Sequence, residues 1–245
     1  MRKRLTIIIG AALALLAALA VYLSCAAYVA QKRAVVQADQ LRRAVLTLHP
    51  GISTPAAVRK IGLGVLELPE LAHTSSDCPN SSTAFGAYAN NLPQDWISMK
   101  LQPLIRRIGR QNWGVSATIQ IRDDKVCSID FQYELARIRQ WPLSVSTREY
   151  LPEHYRNARP TVSAATGNND SFWTNFSSDA TAQDRARAYD YNFECTNSFR
   201  GCASVCKLVP GMWPDYVQFG RDPDASDLPE LLARAGRGCS DATPR

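Results

Sequence analysis

No charged residue falls between Arg4 and Lys32, and the stretch between them, Leu5–Ala30 (LTIIIGAALALLAALAVYLSCAAYVA), is apolar almost throughout. At the helical rise it spans about 39 Å, more than the roughly 30 Å of bilayer hydrocarbon. Arg2, Lys3 and Arg4 precede it, and no acidic residue occurs before Asp39. By the positive-inside bias the N-terminus stays in the cytoplasm and everything after the run is exported. Residues 5–30 are thus the expected contact with a lipid bilayer, in a single-pass protein whose bulk is periplasmic or extracellular.

Three fates of the run fit these residues. An uncleaved signal anchor agrees with its length, since a cleavable apolar region usually covers only about 7–15 residues. A lipoprotein is the second, because Leu23-Ser24-Cys25 resembles the end of a bacterial lipobox and would make Cys25 the acylated first residue. A cleaved signal peptide is the third, with Ala26, Ala27 and Ala30 small enough for a peptidase. All three export the rest of the chain.

That address governs how charge and cysteines are read. The chain carries a formal charge of +6. Without the three N-terminal cations, 25 Lys+Arg stand against 22 Asp+Glu, about +3. So weak a surplus does not argue for a nucleic-acid partner, which needs a clustered basic stripe, and none is expected. The nearest patch, Lys100–Arg110 with Arg106 and Arg107, reads as a solvated helix face or as a site for anionic lipid or polysaccharide. Setting Cys25 aside leaves Cys78, Cys127, Cys195, Cys202, Cys206 and Cys239, an even number that reads as up to three disulfides in an oxidising setting. Cys195–Cys202 is the local loop to pair first, with Cys78–Cys127 and Cys206–Cys239 by elimination. A metal site at Cys195, Cys202 and Cys206 is the alternative. It lacks a Cys-x-x-Cys knuckle and a neighbouring histidine.

Periodicity then orders the chain. Ala34, Ala38, Leu41, Val45 and Leu48 form a helical stripe, predicting an amphipathic stalk over 31–49 that stops at His49-Pro50-Gly51. Thr54 and Pro55 open a short helix, Pro55–Ile61, closed by Gly62. Val65–Leu71 reads as strand or loop, Asp77–Asn91 as loop, and Pro103–Gly109 as a helical turn. Val115–Ile121 and Val126–Leu135 alternate apolar and polar residues around Arg122–Lys125, predicting a β-hairpin with Cys127 on its buried face. Leu143–Thr147 and Thr161–Ala165 are further strand candidates. Gly167–Ala182 reads as a surface loop whose Phe172, Trp173 and Phe176 either form a binding site or fold back on the core edge. Tyr189–Cys195 alternates as a strand, Leu208–Tyr216 reads as turns, and Leu228–Ala235 is a helix with Asp227 as its cap.

The order Gly51-Ile52-Ser53, Val58, Gly62 and then a hairpin resembles the small lipoprotein family of the bacterial outer-membrane β-barrel assembly machinery. In that family a glycine-hydrophobic-Ser/Thr turn opens a short helix ending in glycine, and an antiparallel meander packs on the helices. The second half resembles uncharacterised exported bacterial proteins with a Cys-x6-Cys loop followed by a proline and a tryptophan (Cys195, Cys202, Pro210, Trp213). The resemblance implies a helix-plus-meander fold and a role in envelope assembly, and carries over no catalytic residues.

The fold class expected is therefore α+β. A membrane helix and stalk lead into a two-helix start packed on an antiparallel β-meander, with a disulfide-stapled C-terminal extension. The divisions are 1–30 anchor or signal segment, 31–49 stalk, 50–221 extracytoplasmic domain and 222–245 partly ordered tail. No catalytic, cofactor or metal site is expected. His49, His73 and His154 belong to no recognisable motif, and the Asp123-Asp124 pair sits where a hairpin turn favours aspartate for backbone reasons. The function expected is a non-enzymatic envelope module that binds a protein partner through its sheet or aromatic loop. Its rival is an exported hydrolase whose site, using Glu153 and His154, is built from sequence-distant residues.

Overall fold

A computed structural model describes residues 2–62, 64–68, 78–92, 95–103, 111–136, 142–155, 157–165, 167, 169–198, 202, 204–220, 228–236 and 239. The apolar run and the stripe after it are one uninterrupted helix, α1 (Arg2–Leu46). Nothing in 2–46 breaks it, for Gly10 is its only glycine and Pro50 the first proline. It is long and apolar enough to cross a membrane, and its most apolar stretch is unburied. The second part differs: Ala34, Ala38, Leu41, Val45 and Leu48 are 0–2 % exposed and belong to the main core. Residues 31–48 are thus a packed element of the folded unit, not a stalk standing off it. The chain leaves the helix through Gly51, whose φ of +81° suits glycine, into α2 (Pro55–Arg59), shorter than the predicted Pro55–Ile61.

The sheet has seven strands: β1 (Leu66–Glu67), β2 (Thr83–Asn90), β3 (Asn112–Arg122), β4 (Lys125–Ala136), β5 (Leu143–Tyr150), β6 (Thr161–Ala165) and β7 (Asp170–Ser177). Their spatial order is β1-β2-β3-β4-β5-β7-β6. From β1 to β5 neighbours run antiparallel, which matches the predicted meander. The sheet as a whole is mixed, because β7 inserts parallel to β5 and leaves β6 at the edge. The β3–β4 hairpin turns on Asp123 and Asp124, both with positive φ (51° and 57°), as a two-residue type I′ turn requires. A bulge follows: Ile121 pairs with Val126 and Gln120 with Ser128, leaving Cys127 unpaired between them. Cys127 is buried, as expected, but Val126 rather than Cys127 joins the main core.

Two predicted loops are strands. In β2 the core positions are Phe85, Ala87 and Ala89, and with two of the three being alanine the alternation gives little hydrophobic signal. Small residues are what the packing needs, since α1 crosses β2 with its own Ala34 and Ala38. The predicted aromatic loop is β7. Phe172 and Phe176 are fully buried in the core, and Trp173 lies on the opposite face, half-buried.

The predicted strand Tyr189–Cys195 is also absent. Helix α4 (Ala182–Ala188) precedes it, capped by the Thr181 hydroxyl, and a 3-10 turn (Phe193–Asn197) follows. Tyr189, Tyr191 and Phe193 surround Phe131 edge-on or tilted, so their alternation comes from packing over the sheet rather than pairing in it. Leu208–Tyr216 turns at residues 209–212, as predicted, but its two ends belong to helices α5 (Val205–Leu208) and α6 (Trp213–Phe219), and α7 (Leu228–Ala235) matches its predicted span. Asp227 and most of Pro103–Gly109 lie outside the described residues, whereas α3 (Trp96–Lys100) was not anticipated. Helices thus cover one face of the sheet, α1 over β2–β4 and the C-terminal ones toward β6 and β7.

Candidate functional site

Three cysteine pairs lie at disulfide distance: Cys78 with Cys127, Cys195 with Cys202, and Cys206 with Cys239, their Cα atoms 6.0, 5.2 and 6.4 Å apart. These are the pairs that locality and elimination gave. Cys195, Cys202 and Cys206, the alternative metal ligands, are divided between two of these pairs. Cys25 is free, exposed and internal to α1.

The histidines are not brought together. His49 is exposed just beyond α1, where burial and the Arg185 charge push its imidazole below its ordinary value. His73 and the basic residues Arg106, Arg107 and Arg110 lie outside the described residues. His154 Nε2 is 2.7 Å from an Arg122 guanidinium nitrogen, and Glu153 binds the same guanidinium. Arginine only donates, so this contact occupies the imidazole lone pair that a general base needs. Arg122 also holds the Glu153 carboxyl below its usual range.

The most buried ionic group is one that spacing does not reveal. Arg185 Nε donates to both oxygens of Glu149 at 3.0 and 3.1 Å, and Glu149 is wholly inaccessible. The two remaining guanidinium nitrogens donate to the carbonyls of Leu46 (2.7 Å) and Leu48 (2.6 Å), groups the end of α1 leaves unsatisfied. Burial pushes the Glu149 carboxyl up against the opposing pull of Arg185 and the Tyr189 hydroxyl. No reactant reaches it. It is a lock on the end of α1, and the Thr181–Asp184 capping pattern was the one sequence signal of the helix that supplies Arg185.

A second polar junction lies at the other end of the sheet. Gln31, the first polar side chain after the apolar run, accepts from Trp113 Nε1 (3.1 Å) and Asn91 Nδ2 (3.0 Å) and donates to the Thr196 carbonyl. Arg33 donates to the Leu92 carbonyl at 3.1 Å. Beside this junction is a cavity of about 370 Å³, where β2 and β4 end and β3 and β5 begin. Trp113, Leu135, Leu143 and Leu92 supply apolar wall, while Asn90, Asn112, Asn169 and Glu134 supply amides and a carboxylate. That volume and mixture suit a small ligand or an inserted side chain with a hydrogen-bonding end. Among the described residues the polar groups of the lining are amides and one carboxylate, the Glu134 side chain. Among the described residues no group of His, Cys, Asp and Glu is placed to hold a metal ion. Comparison with protein-family models, with curated proteins and with solved structures finds no match to this chain.

Proposed function

We propose that the protein is a membrane-anchored extracytoplasmic module that binds or assembles with an envelope protein and performs no chemistry of its own. The observation carrying this reading is the continuity of α1. The same helix is bare and apolar through its first part and a core element of the folded unit through its second. Cys25 lies between two junctions with that unit, Tyr22 to Asp95 (3.1 Å) and Gln31 to Asn91, which favours an intact anchor over cleavage and acylation there. The cysteine pairs support an oxidising compartment. The run of two helices followed by antiparallel strands supports kinship with the small lipoproteins of β-barrel assembly, and the cavity beside the junction is the surface assigned to the partner.

Two measurements test this. Thiol titration of the denatured, unreduced full chain is expected to find Cys25 alone, and its intact mass to include residues 1–24. Four or more free thiols would refute the exported address. A photo-crosslinking residue at Asn169, on the cavity rim, is expected to give a discrete adduct in membranes that one at exposed Ile52 does not. Identical adducts at both positions would remove the cavity from the partner's surface.

A further inference from the structure

The contact between Tyr22 and Asp95 places a second element beside the apolar half of α1. Asp95 is the N-cap of α3, its carboxylate accepting from the Ser98 amide at 2.7 Å as well as from the Tyr22 hydroxyl. Leu92 is tied nearby through its carbonyl to Arg33. Around these ties Leu92, Ile97 and Met99 are 39, 42 and 53 % exposed, and Val21, Tyr22 and Tyr28 of α1 are exposed too. Three bulky apolar side chains around a five-residue helix are an unusual surface to leave in water.

Counting from Leu5, roughly 30 Å of hydrocarbon takes up about 20 residues and ends near Ser24. Tyr22, Tyr28 and Lys32 then form the exit belt, with the Lys32 ammonium 5.9 Å above the Tyr28 ring. Side chains on a helix tilt toward its N-terminus, which here is the membrane side, so Tyr22 draws Asp95 toward the bilayer. The start of α3 is therefore level with the lipid boundary, and Lys100 at its end suits anionic headgroups.

We infer that α3 and Leu92 rest in the headgroup–acyl boundary of the bilayer that α1 crosses, so that the folded unit lies against the membrane. This rests on the reading of residues 5–30 as a membrane span. It also sets the cavity, which Leu92 helps to line, at the lipid surface, within reach of a partner embedded in that membrane.

The test uses the full chain in vesicles of phosphatidylethanolamine and phosphatidylglycerol. In a Cys25→Ser background, single nitroxides are attached at Leu15→Cys, Ile97→Cys, Met99→Cys and Ile52→Cys, and collision rates with oxygen and a water-soluble nickel chelate are compared. Positions 15, 97 and 99 are expected to favour oxygen. Ile52, 75 % exposed beyond the opposite end of α1, is expected to favour nickel. If 97 and 99 behave like 52 while 15 reports lipid, the anchor stands and the docked helix is wrong. If 15 also reports water, the span fails and takes the docked helix with it.

Discussion

In the first half of α1, Ile7, Leu13, Leu15 and Leu16 are 61–72 % exposed, whereas in the second half Ala34, Ala38, Leu41 and Val45 are at most 1 % exposed. Both halves are helical and both are apolar. They differ in pattern: the first is apolar on all sides and the second only along one stripe, with Asp39, Arg42 and Arg43 off it. An all-round apolar surface needs a solvent that is apolar all round, while a stripe needs one wall. Among the described residues the second half is packed against the sheet while the first touches the folded unit only near its end, at Tyr22, so substitutions in the two halves should report on different things.

The largest expected effect lies where the buried half ends. Arg185→Met leaves Glu149 as a buried unpaired carboxylate and strips the carbonyls of Leu46 and Leu48 of their donor. Breaking such a pair from one side costs about 3–5 kcal/mol, read as a lowered midpoint in urea unfolding of the full chain in detergent micelles. A midpoint within error of the parent would show that the end of α1 is held by packing alone.

Leu41→Ala against Leu15→Ala compares the halves directly. The first should cost about 2–5 kcal/mol through a cavity against the sheet, while the second should leave the midpoint unmoved. Equal losses would mean that the exposed half also packs on the folded unit. The cysteine pairs extend the comparison to the sheet. Replacing Cys78 and Cys127 by serine opens a loop of 49 residues and Cys195 with Cys202 one of 7, so chain entropy predicts losses of about 4 and 2 kcal/mol respectively.

The same contrast explains what could be read from the sequence. Elements that place large apolar residues at a fixed period were legible: the stripe of α1, both strands of the hairpin, and Leu228–Ala235. The cysteine pairs emerged from spacing alone because one loop was short. Elements that interleave small or polar buried residues with their few aromatics were not legible. β2 offers alanines to α1. β7 buries Thr174, whose hydroxyl is hydrogen-bonded to that of Tyr216 at 2.8 Å, and it buries Ser171 and Ser177 as well. Such positions look like loop because their stability comes from a partner strand or a hydroxyl forty residues away. The candidate site was hidden for the same reason. Gln31, Trp113 and Asn91 meet only once the sheet forms, and Glu149 and Arg185 are 36 residues apart.

The smallest effect expected is at Asp39, on the solvent side of the buried half. Burial pushes its carboxyl up, but Arg42 and Arg43, each 2.7 Å away, outweigh it and hold it below the ordinary value. A carboxylate whose folded value is depressed contributes its stabilisation above the unfolded value of about 3.9 and loses it as the pH falls through the folded value. Partly exposed pairs one turn apart contribute about 0.3–0.5 kcal/mol each. Asp39→Asn should therefore cost under about 1 kcal/mol at neutral pH. The deficit relative to the parent should fade below pH 4 and shrink in high salt. A deficit that persists unchanged at low pH would show that Asp39 acts by hydrogen bonding rather than by charge. The polar face of the second half would then be ordered by hydrogen bonds between neighbouring turns of α1 rather than by charge.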